Sequence, residues 1–348
     1  MEFEKFLLQN GSRLFDDADF DMDVWQSFPN ANASNHSYLQ MNRVVNMDSL
    51  RVQLSRRDEG ETNVFYLLSQ LFSWGQFRLS KDAFQLIVNQ ISVHPAFLQI
   101  IDEFGEKVRP QLPRQSAFLH RAPATPRHRY GNSRRHSGYE LFYNLRFVER
   151  NGRNRGDPWS LRQTGIYQKY APDRQHSTWI ILQLSKSTRT GLEDMLKAQA
   201  ATHTSDTHPM SLHPIFLQAT ASNWSEYVQS LTRDLDLIDE KVCFSNVEPS
   251  AKQGYIISFT DMQTLHRLQQ KMGRASAMLV ACKRAARVLL KHCHDLHVMG
   301  FSTDHDGIVK SIETYEADLQ THQQNIHFMV KNLQATLSLV RVTLSELS

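Results

Sequence analysis

Tyr139-Glu140-Leu141-Phe142-Tyr143-Asn144-Leu145-Arg146-Phe147-Val148-Glu149, Asp157-Pro158-Trp159-Ser160-Leu161-Arg162-Gln163-Thr164-Gly165-Ile166-Tyr167 and Thr178-Trp179-Ile180-Ile181-Leu182-Gln183-Leu184 are three β-type runs set close together. In the first, Leu141, Tyr143, Leu145 and Phe147 fall on one face, while Asn144, Arg146 and Glu149 add the polar content of a half-buried strand. The pattern predicts a small sheet. Between the first two runs, Pro158 presets its own φ and keeps Asp157 out of the helical region, so Asp157-Pro158-Trp159-Ser160 is a turn. Trp159 is then placed to anchor that turn in the core, a packing role rather than a chemical one.

Outward from the sheet the signals become helical. Ser80 is a good N-cap, with Asp82 in the first turn, for a helix burying Phe84, Ile87, Val88 and Ile91. A second helix opens at Pro95, carries Phe97, Leu98, Ile101 and Phe104, and stops at Gly105. Leu192–Ala201 and Trp224–Val242 also read as helices. The latter buries Trp224, Tyr227, Val228, Leu231, Leu235 and Ile238 and turns Asp234, Asp236, Asp239 and Glu240 to solvent. Residues 1–60 are Asn-rich, with an acidic patch at Asp16-Asp17-Ala18-Asp19-Phe20-Asp21, and too weakly periodic to assign a fold.

Residues 107–136 are basic and contain no acid, with Arg109, Arg114, Arg121, Arg127, Arg129, Arg134 and Arg135 among several prolines. No aromatic interleaving suited to base stacking accompanies the charge. A flexible exposed insertion is therefore expected rather than a nucleic-acid arm, with phosphoinositide contact left open.

The clearest periodicity is C-terminal. Thr260-Asp261-Met262-Gln263 has the form of a capping box. Leu265, Leu268, Met272, Ala275, Leu279, Cys282, Ala286, Leu289, Cys293 and Leu296 then follow in three-four alternation. Gly300 and Ser302-Thr303-Asp304-His305-Asp306-Gly307 stop this helix, and a second series runs from Ile308 and Ile312 through Tyr315, Leu319, His322, Ile326, Met329 and Leu333 to Val340 and Leu347. Two helices of similar length joined by a short loop lie antiparallel, each roughly 50–60 Å long. The expected architecture is an α/β (α+β) body over 61–258, with helices flanking the sheet, followed by a long antiparallel helical hairpin over 259–348 with the character of a coiled coil. Leu265, Leu268, Leu279, Leu289, Ile312, Leu319, Ile326 and Leu333 form the seam of the hairpin, which projects from the body or folds back along it. Val330, Leu337, Leu339 and Leu344 flank the seam as exposed apolar residues.

Composition excludes several function classes. With 39 basic and 36 acidic residues, no overall field drives the chain onto nucleic acid or an anionic membrane. Apolar residues at 41% and charged residues at 22% suit a protein that buries a core. Three cysteines, Cys243, Cys282 and Cys293, do not make a disulfide framework, and the N-terminus has no signal-peptide pattern, which points to a cytoplasmic setting. No window approaches the roughly 20 apolar residues of a membrane span. Lys291-His292-Cys293-His294-Asp295-Leu296-His297 invites a metal reading, but Cys293 lies on the seam, so its thiol is assigned to packing and no metal site is expected. Asp304-His305-Asp306-Gly307 lacks the remaining ligands of a calcium loop. No phosphate-cradling loop, nucleophile elbow or zincin motif is present, so no catalytic residues are assigned and the chain is read as a non-enzyme.

The Tyr143–Glu149, Asp157–Tyr167 and Trp179–Leu182 strings resemble the N-terminal cytosolic domain of the fungal CorA-like divalent-cation transporter family. Asn144, Arg146, Asp157, Pro158, Trp159, Ser160, Arg162, Gln163 and Trp179 carry the resemblance as structural positions. Phe77-Arg78-Leu79-Ser80, His94-Pro95-Ala96-Phe97-Leu98 and Phe104-Gly105-Glu106-Lys107 extend it to about residues 65–260. The resemblance implies divalent-cation handling, chiefly of magnesium, in which a cytosolic domain senses the ion and gates a separate pore. In that family a long stalk helix leads into membrane segments; here the chain ends at Ser348, where such a stalk would continue, and Met272-Gly273-Arg274 and Met299-Gly300-Phe301 do not match the Gly-Met-Asn signature. A family member without a pore, or part of a longer transporter that would be membrane-associated, is expected. Its role is regulation or assembly, through association with copies of itself or with a full-length relative. No cofactor is required, with Mg2+ as the regulatory ion if one acts. The alternative is an interaction scaffold that works through the hairpin without any ion.

Overall fold

The protein's structure, a computed structural model, describes residues 2–28, 39–55, 62–107, 117–121, 138–173, 175–201, 208–244 and 257–346. Seven strands, β1 (Met22–Ser27), β2 (Leu39–Val44), β3 (Asn63–Leu68), β4 (Ala117–Arg121), β5 (Tyr139–Arg150), β6 (Trp159–Ala171) and β7 (His176–Leu182), make one sheet in the order β2-β1-β3-β7-β6-β5-β4. Only β3 and β7 run parallel, with Phe65 opposite Trp179. The sheet is therefore larger than the three runs imply. Residues 1–60, of unassigned fold in sequence, supply β1 and β2, which hydrogen-bond outward from β3.

Alternation along the strands sorts their side chains into two cores. Val64, Tyr66, Leu68, Phe142, Tyr167, Ile180 and Leu182 face a layer of α1 (Glu2–Leu14), α2 (Met47–Ser55), α3 (Lys81–Ile91), the 3-10 turn Pro95–Phe97 and α4 (Leu98–Ile101). Phe65, Leu67, Leu141, Tyr143, Leu145, Trp179 and Ile181 face the other way. There they meet α5 (Lys186–Ala201), α6 (His213–Ala221), α7 (Trp224–Cys243), α8 (Phe259–Val298) and α9 (His305–Glu346). The half-buried strand expected from Tyr139 onward is accordingly buried on both faces, because helices cover the side that carries Asn144 and Arg146 as well as the apolar side.

Local signals act as their chemistry requires. The Ser80 hydroxyl accepts from Ala83 N at 3.2 Å and caps α3. The cap of α8 lies two residues before the expected one: Asp261 Oδ2 accepts from Ser258 N at 2.7 Å and from Lys241 Nζ at 2.5 Å, which also ties α7 to the helix start. Of the basic insertion, residues 117–121 form β4, paired with β5 at the sheet edge, and Arg121 is ion-paired with Asp295. The remainder, 108–116 and 122–136, lies outside the described residues.

The hairpin folds back along the body. Arg287 Nε meets Glu316 at 2.6 Å and Lys283 Nζ meets Gln323 at 3.1 Å, which fixes α8 and α9 antiparallel. Leu265, Leu268, Leu279, Leu289, Ile312, Leu319, Ile326 and Leu333 are all buried, in the same core as the inner face of the sheet. Cys282 Sγ bridges the hairpin to β5, 3.3 Å from both the N and the O of Arg146. Val330 and Leu337, expected to be exposed, are half-buried against this core because α7 also packs on α9; Thr336 Oγ1 donates to Asp239 at 2.6 Å there. Leu339 is exposed, and the side chain of Leu344 lies outside the described set.

Gly165, on β6, marks how closely the layers approach. A Cβ there would lie 2.9 Å from Leu182 Cδ1, 3.1 Å from Ile100 Cγ2 and 3.2 Å from Phe104 Cε2. Because those atoms belong to packed core side chains, Gly165→Ala is expected to cost about 1–3 kcal/mol. A urea midpoint equal to that of the wild type would show that the sheet and α4 are packed less tightly than this.

Candidate functional site

Three of the motif residues converge beneath α4. β5 presents Asn144 and Arg146, β6 presents Gln163, and all three meet Glu103 in the turn after α4. Arg146 Nη2 lies 2.7 Å from Glu103 Oε2, with side-chain exposures of 10% and 3%. Asn144 Nδ2 donates to the same oxygen at 2.6 Å, and Gln163 Nε2 donates to the Glu103 carbonyl at 2.7 Å. Lys107 Nζ also bonds that carbonyl, and burial, reinforced by the Arg146 charge, holds its pKa down at about 8. Next to this network Arg13 reaches from α1 to the Phe104 carbonyl at 2.6 Å and to Asp102 Oδ1 at 2.6 Å. Gly105 allows that approach: its φ is +79°, and a Cβ would stand 2.5 Å from the Arg13 carbonyl.

Asp157, Pro158, Trp159 and Ser160 build the turn between β5 and β6, with Arg162 further along β6 and Trp179 apart on β7. Asp157 Oδ1 accepts from Trp159 N at 3.1 Å, while its Oδ2 meets Lys271 of α8 at 2.9 Å. Pro158 O accepts from Asn151 N at 2.9 Å, and Ser160 Oγ lies 3.4 Å from Asn151 Nδ2. Trp159 is buried edge-on against Tyr227, with the Arg150 guanidinium 5.1 Å from its ring. Arg162 pairs with Glu149 at 3.1 Å and bonds Ser73. Trp179 stacks on Phe65 at 5.7 Å and donates Nε1–H to Asn63 Oδ1 at 3.0 Å. The motif thus falls into two clusters at different places on the sheet, the network around Glu103 and the β5–β6 turn, with Trp179 apart from both on β7.

Sequence reasoning missed a histidine-rich cluster at the turn end of the hairpin. His213, fully buried, lies with Nδ1 2.7 Å from Tyr143 Oη and donates at Nε2 to Gln168 Oε1 (2.9 Å), an arrangement in which a neutral ring accepts at Nδ1 from the tyrosine hydroxyl. Burial, then the charges of His292 and His208, hold its pKa at about 3. Burial likewise holds His292 and His208 at about 4 and pushes the Cys293 thiol up to about 12. His208, Cys293 and His305 lie together, all buried, one ligand atom of each within 4.8 Å of the others. The i, i+4 pair of Cys293 with His297 is not that cluster, since His297 is exposed and instead stacks on His305 at 4.2 Å. Only His208, distant in sequence, completes the group, and no spacing rule could have found it.

The sequence model of the CorA-like transporters matches residues 1–243. The chain belongs to this family. The match takes in β1 and β2, which the sequence resemblance left out, and it stops short of the hairpin. In fold the CorA-like chain is similar to the CorA magnesium transporter of Methanocaldococcus jannaschii, at 10% identity and a TM-score of 0.51, over 93% of this chain and 76% of that one. Two further likenesses are to the full-length CmaX protein, at 11% identity and a TM-score of 0.45 over 92% of this chain and 78% of that one, and to the soluble domain of the same Methanocaldococcus jannaschii CorA, at 11% and 0.44 over 81% and 88%. No curated protein matches the chain.

Two outcomes test this chemistry. Arg146→Met should cost about 3–5 kcal/mol by stranding a buried carboxylate, and adding Glu103→Gln should recover a large part of that loss. Additive losses in the double variant would mean that the two side chains are not coupled. The second outcome concerns His213. Its folded pKa lies below the ordinary value near 6.5, so the unfolded chain binds more protons in that window. The contribution of His213 to stability is therefore complete above about pH 6.5 and is lost as the pH drops below it, and His213→Gln should flatten the fall between about pH 6.5 and about pH 4 by up to ~1.4 kcal/mol per pH unit. An unchanged slope in urea titrations would mean that His213 is not held neutral.

Proposed function

We propose that the chain is a non-catalytic CorA-like domain that acts in the cytoplasm, regulating or assembling divalent-cation transport without forming the pore. The observation that carries this reading is the family match over residues 1–243, joined to an architecture shared with a magnesium transporter. Among the described residues no helix is long and apolar enough to cross a membrane. Ion passage would then fall to a longer relative or to a part of the protein beyond these residues.

Association is the means by which such a domain would act, and the last helix offers a surface for it. Phe328 and Leu339 on α9 are 64% and 51% exposed. They lie three helical turns apart, hence on one face, opposite the seam residues. Two large apolar side chains aligned on a long helix favour contact with another helix of the same kind, in a second copy or in a full-length relative. Mg2+ is the regulatory ion in this reading, binding one assembly state better than the other and so shifting the balance between them.

Leu339→Asp and Phe328→Asp should each reduce the apparent mass in solution while leaving far-UV circular dichroism unchanged. Millimolar Mg2+ should change either the mass or the Tm of the wild type. If the wild type associates but ignores Mg2+, the scaffold reading replaces the transport-linked one. A chain that remains monomeric with and without Mg2+ would remove the assembly role.

A further inference from the structure

Three chain segments meet where α8 turns into α9. Cys293 comes from the last turns of α8, His305 is the first residue of α9, and His208 lies just before α6. They are 0%, 6% and 3% exposed. Cys293 Sγ and His305 Nδ1 are 3.6 Å apart. Two ligands on a tetrahedral zinc ion, one sulfur at about 2.3 Å and one nitrogen at about 2.0–2.1 Å, are separated by about 3.5–3.6 Å. A thiol–imidazole hydrogen bond would accommodate the same distance, so this pair does not decide the matter alone.

His208 decides it. Its Nδ1 accepts from Met210 N at 3.1 Å, whereas its buried Nε2 has no hydrogen-bond partner among the described residues. A buried polar atom without a partner is rare in a folded chain and calls for a ligand, an ion or a water. The third ligand of the cluster is this ring. Exposed His297 and His294 flank His305, with ring centres 4.2 Å and 5.8 Å from it, and give a hydrated cation a route in from solvent.

We propose that Cys293, His305 and His208 bind a zinc-class divalent cation, which clamps the turn of the hairpin to the segment that precedes α6. The ligand set of one sulfur and two nitrogens suits Zn2+ or Co2+ and is poor for Mg2+, which requires oxygen ligands in octahedral array. On binding, the thiol proton leaves to solvent and the sulfur coordinates as thiolate. The His208 ring coordinates through Nε2, so the proton that Nε2 carries in the metal-free chain moves to Nδ1, and the ring turns to part Nδ1–H from the Met210 N–H, which gives up its acceptor. One neutral hydrogen bond is a small loss beside a coordinate bond to such a cation. A fourth ligand, His297, His294 or water, completes the tetrahedron. The site is independent of any Mg2+ response, and it links the hairpin to the body at the end opposite the N-terminus of α8.

The test is cobalt titration of the purified, chelator-treated full chain, with Zn2+ as competitor. A thiolate-to-cobalt charge-transfer band should saturate at one equivalent, disappear on addition of Zn2+ and persist in excess Mg2+. Zn2+ should also raise Tm. Cys293→Ser should abolish the band, His305→Gln should weaken binding at least about tenfold, and Cys243→Ser, at an exposed position, should change neither. His208→Gln lies outside the hairpin core, so it separates loss of a ligand from loss of folding: its far-UV spectrum should match the wild type while its zinc-dependent rise in Tm falls. A wild type that gives no thiolate band, a band that survives Cys293→Ser, or an undiminished rise in Tm in His208→Gln would each overturn the site.

Discussion

A sheet covered by helices on both faces makes an unpaired polar group on its central strands expensive, and the packing around β5 answers that constraint with a buried ion pair. β5 shows it most clearly. One face of the strand enters the large core with Leu141, Tyr143 and Leu145, and the other carries Asn144 and Arg146 into a second layer. An arginine in that position is tolerated because Glu103 meets it at 2.7 Å and shares its carboxylate with Asn144. Such a pair adds little net stability over an apolar replacement, but removing one partner is expensive, so it specifies how the α4 turn docks on the sheet more than it stabilises the fold. Gly105 and Gly165 act in the same place, one by allowing a backbone carbonyl close by and the other by giving up a side chain so that the layers can close.

The same constraint determines how the hairpin sits. A free hairpin would bury only its seam; here α8 is also the cover for β5, and Cys282 bonds the backbone of Arg146 from the opposite side to Glu103. Arg146 is thus held from both layers, through its side chain by one and its backbone by the other. A shift of α8 along its axis would disturb the strand that carries the buried ion pair. That continuity makes the hairpin and body one packed unit, in which α9 contributes Leu319, Ile326 and Leu333 inward and Phe328 and Leu339 outward.

The chain belongs to the CorA-like transporters and shares its fold with the CorA of Methanocaldococcus jannaschii, and its own chemistry adds to that. Several of its carboxylates are committed: Glu103 to Arg146, Asp157 to Lys271 and Trp159 N, Asp261 to Ser258 and Lys241. At the hairpin turn the Cys293 thiol meets the His208 and His305 imidazoles, and burial holds the pKa of His208 and of nearby His213 down.

The fold class and the hairpin were legible in the sequence, because alternation in the β runs and the three-four spacing from Leu265 to Val340 are local patterns that follow directly from strand and helix geometry. The Asp157-Pro158-Trp159-Ser160 turn was legible for the same reason, since Pro158 constrains its neighbours whatever surrounds them. Four strands were not. β3 is a continuous apolar run without alternation, and β4 is a short edge strand within a basic segment, so each became a strand only through its neighbours. The burial of Asn144 and Arg146 was equally hidden, because polar residues on a strand mean solvent until a second layer supplies Glu103. The meeting of His208 with Cys293 and His305 lay furthest from the sequence. Spacing along one helix orders Cys293 and His297, but the approach of residues far apart in the chain is set by where α8 ends, how α9 returns and how α6 docks, and those are decided by packing of the whole core.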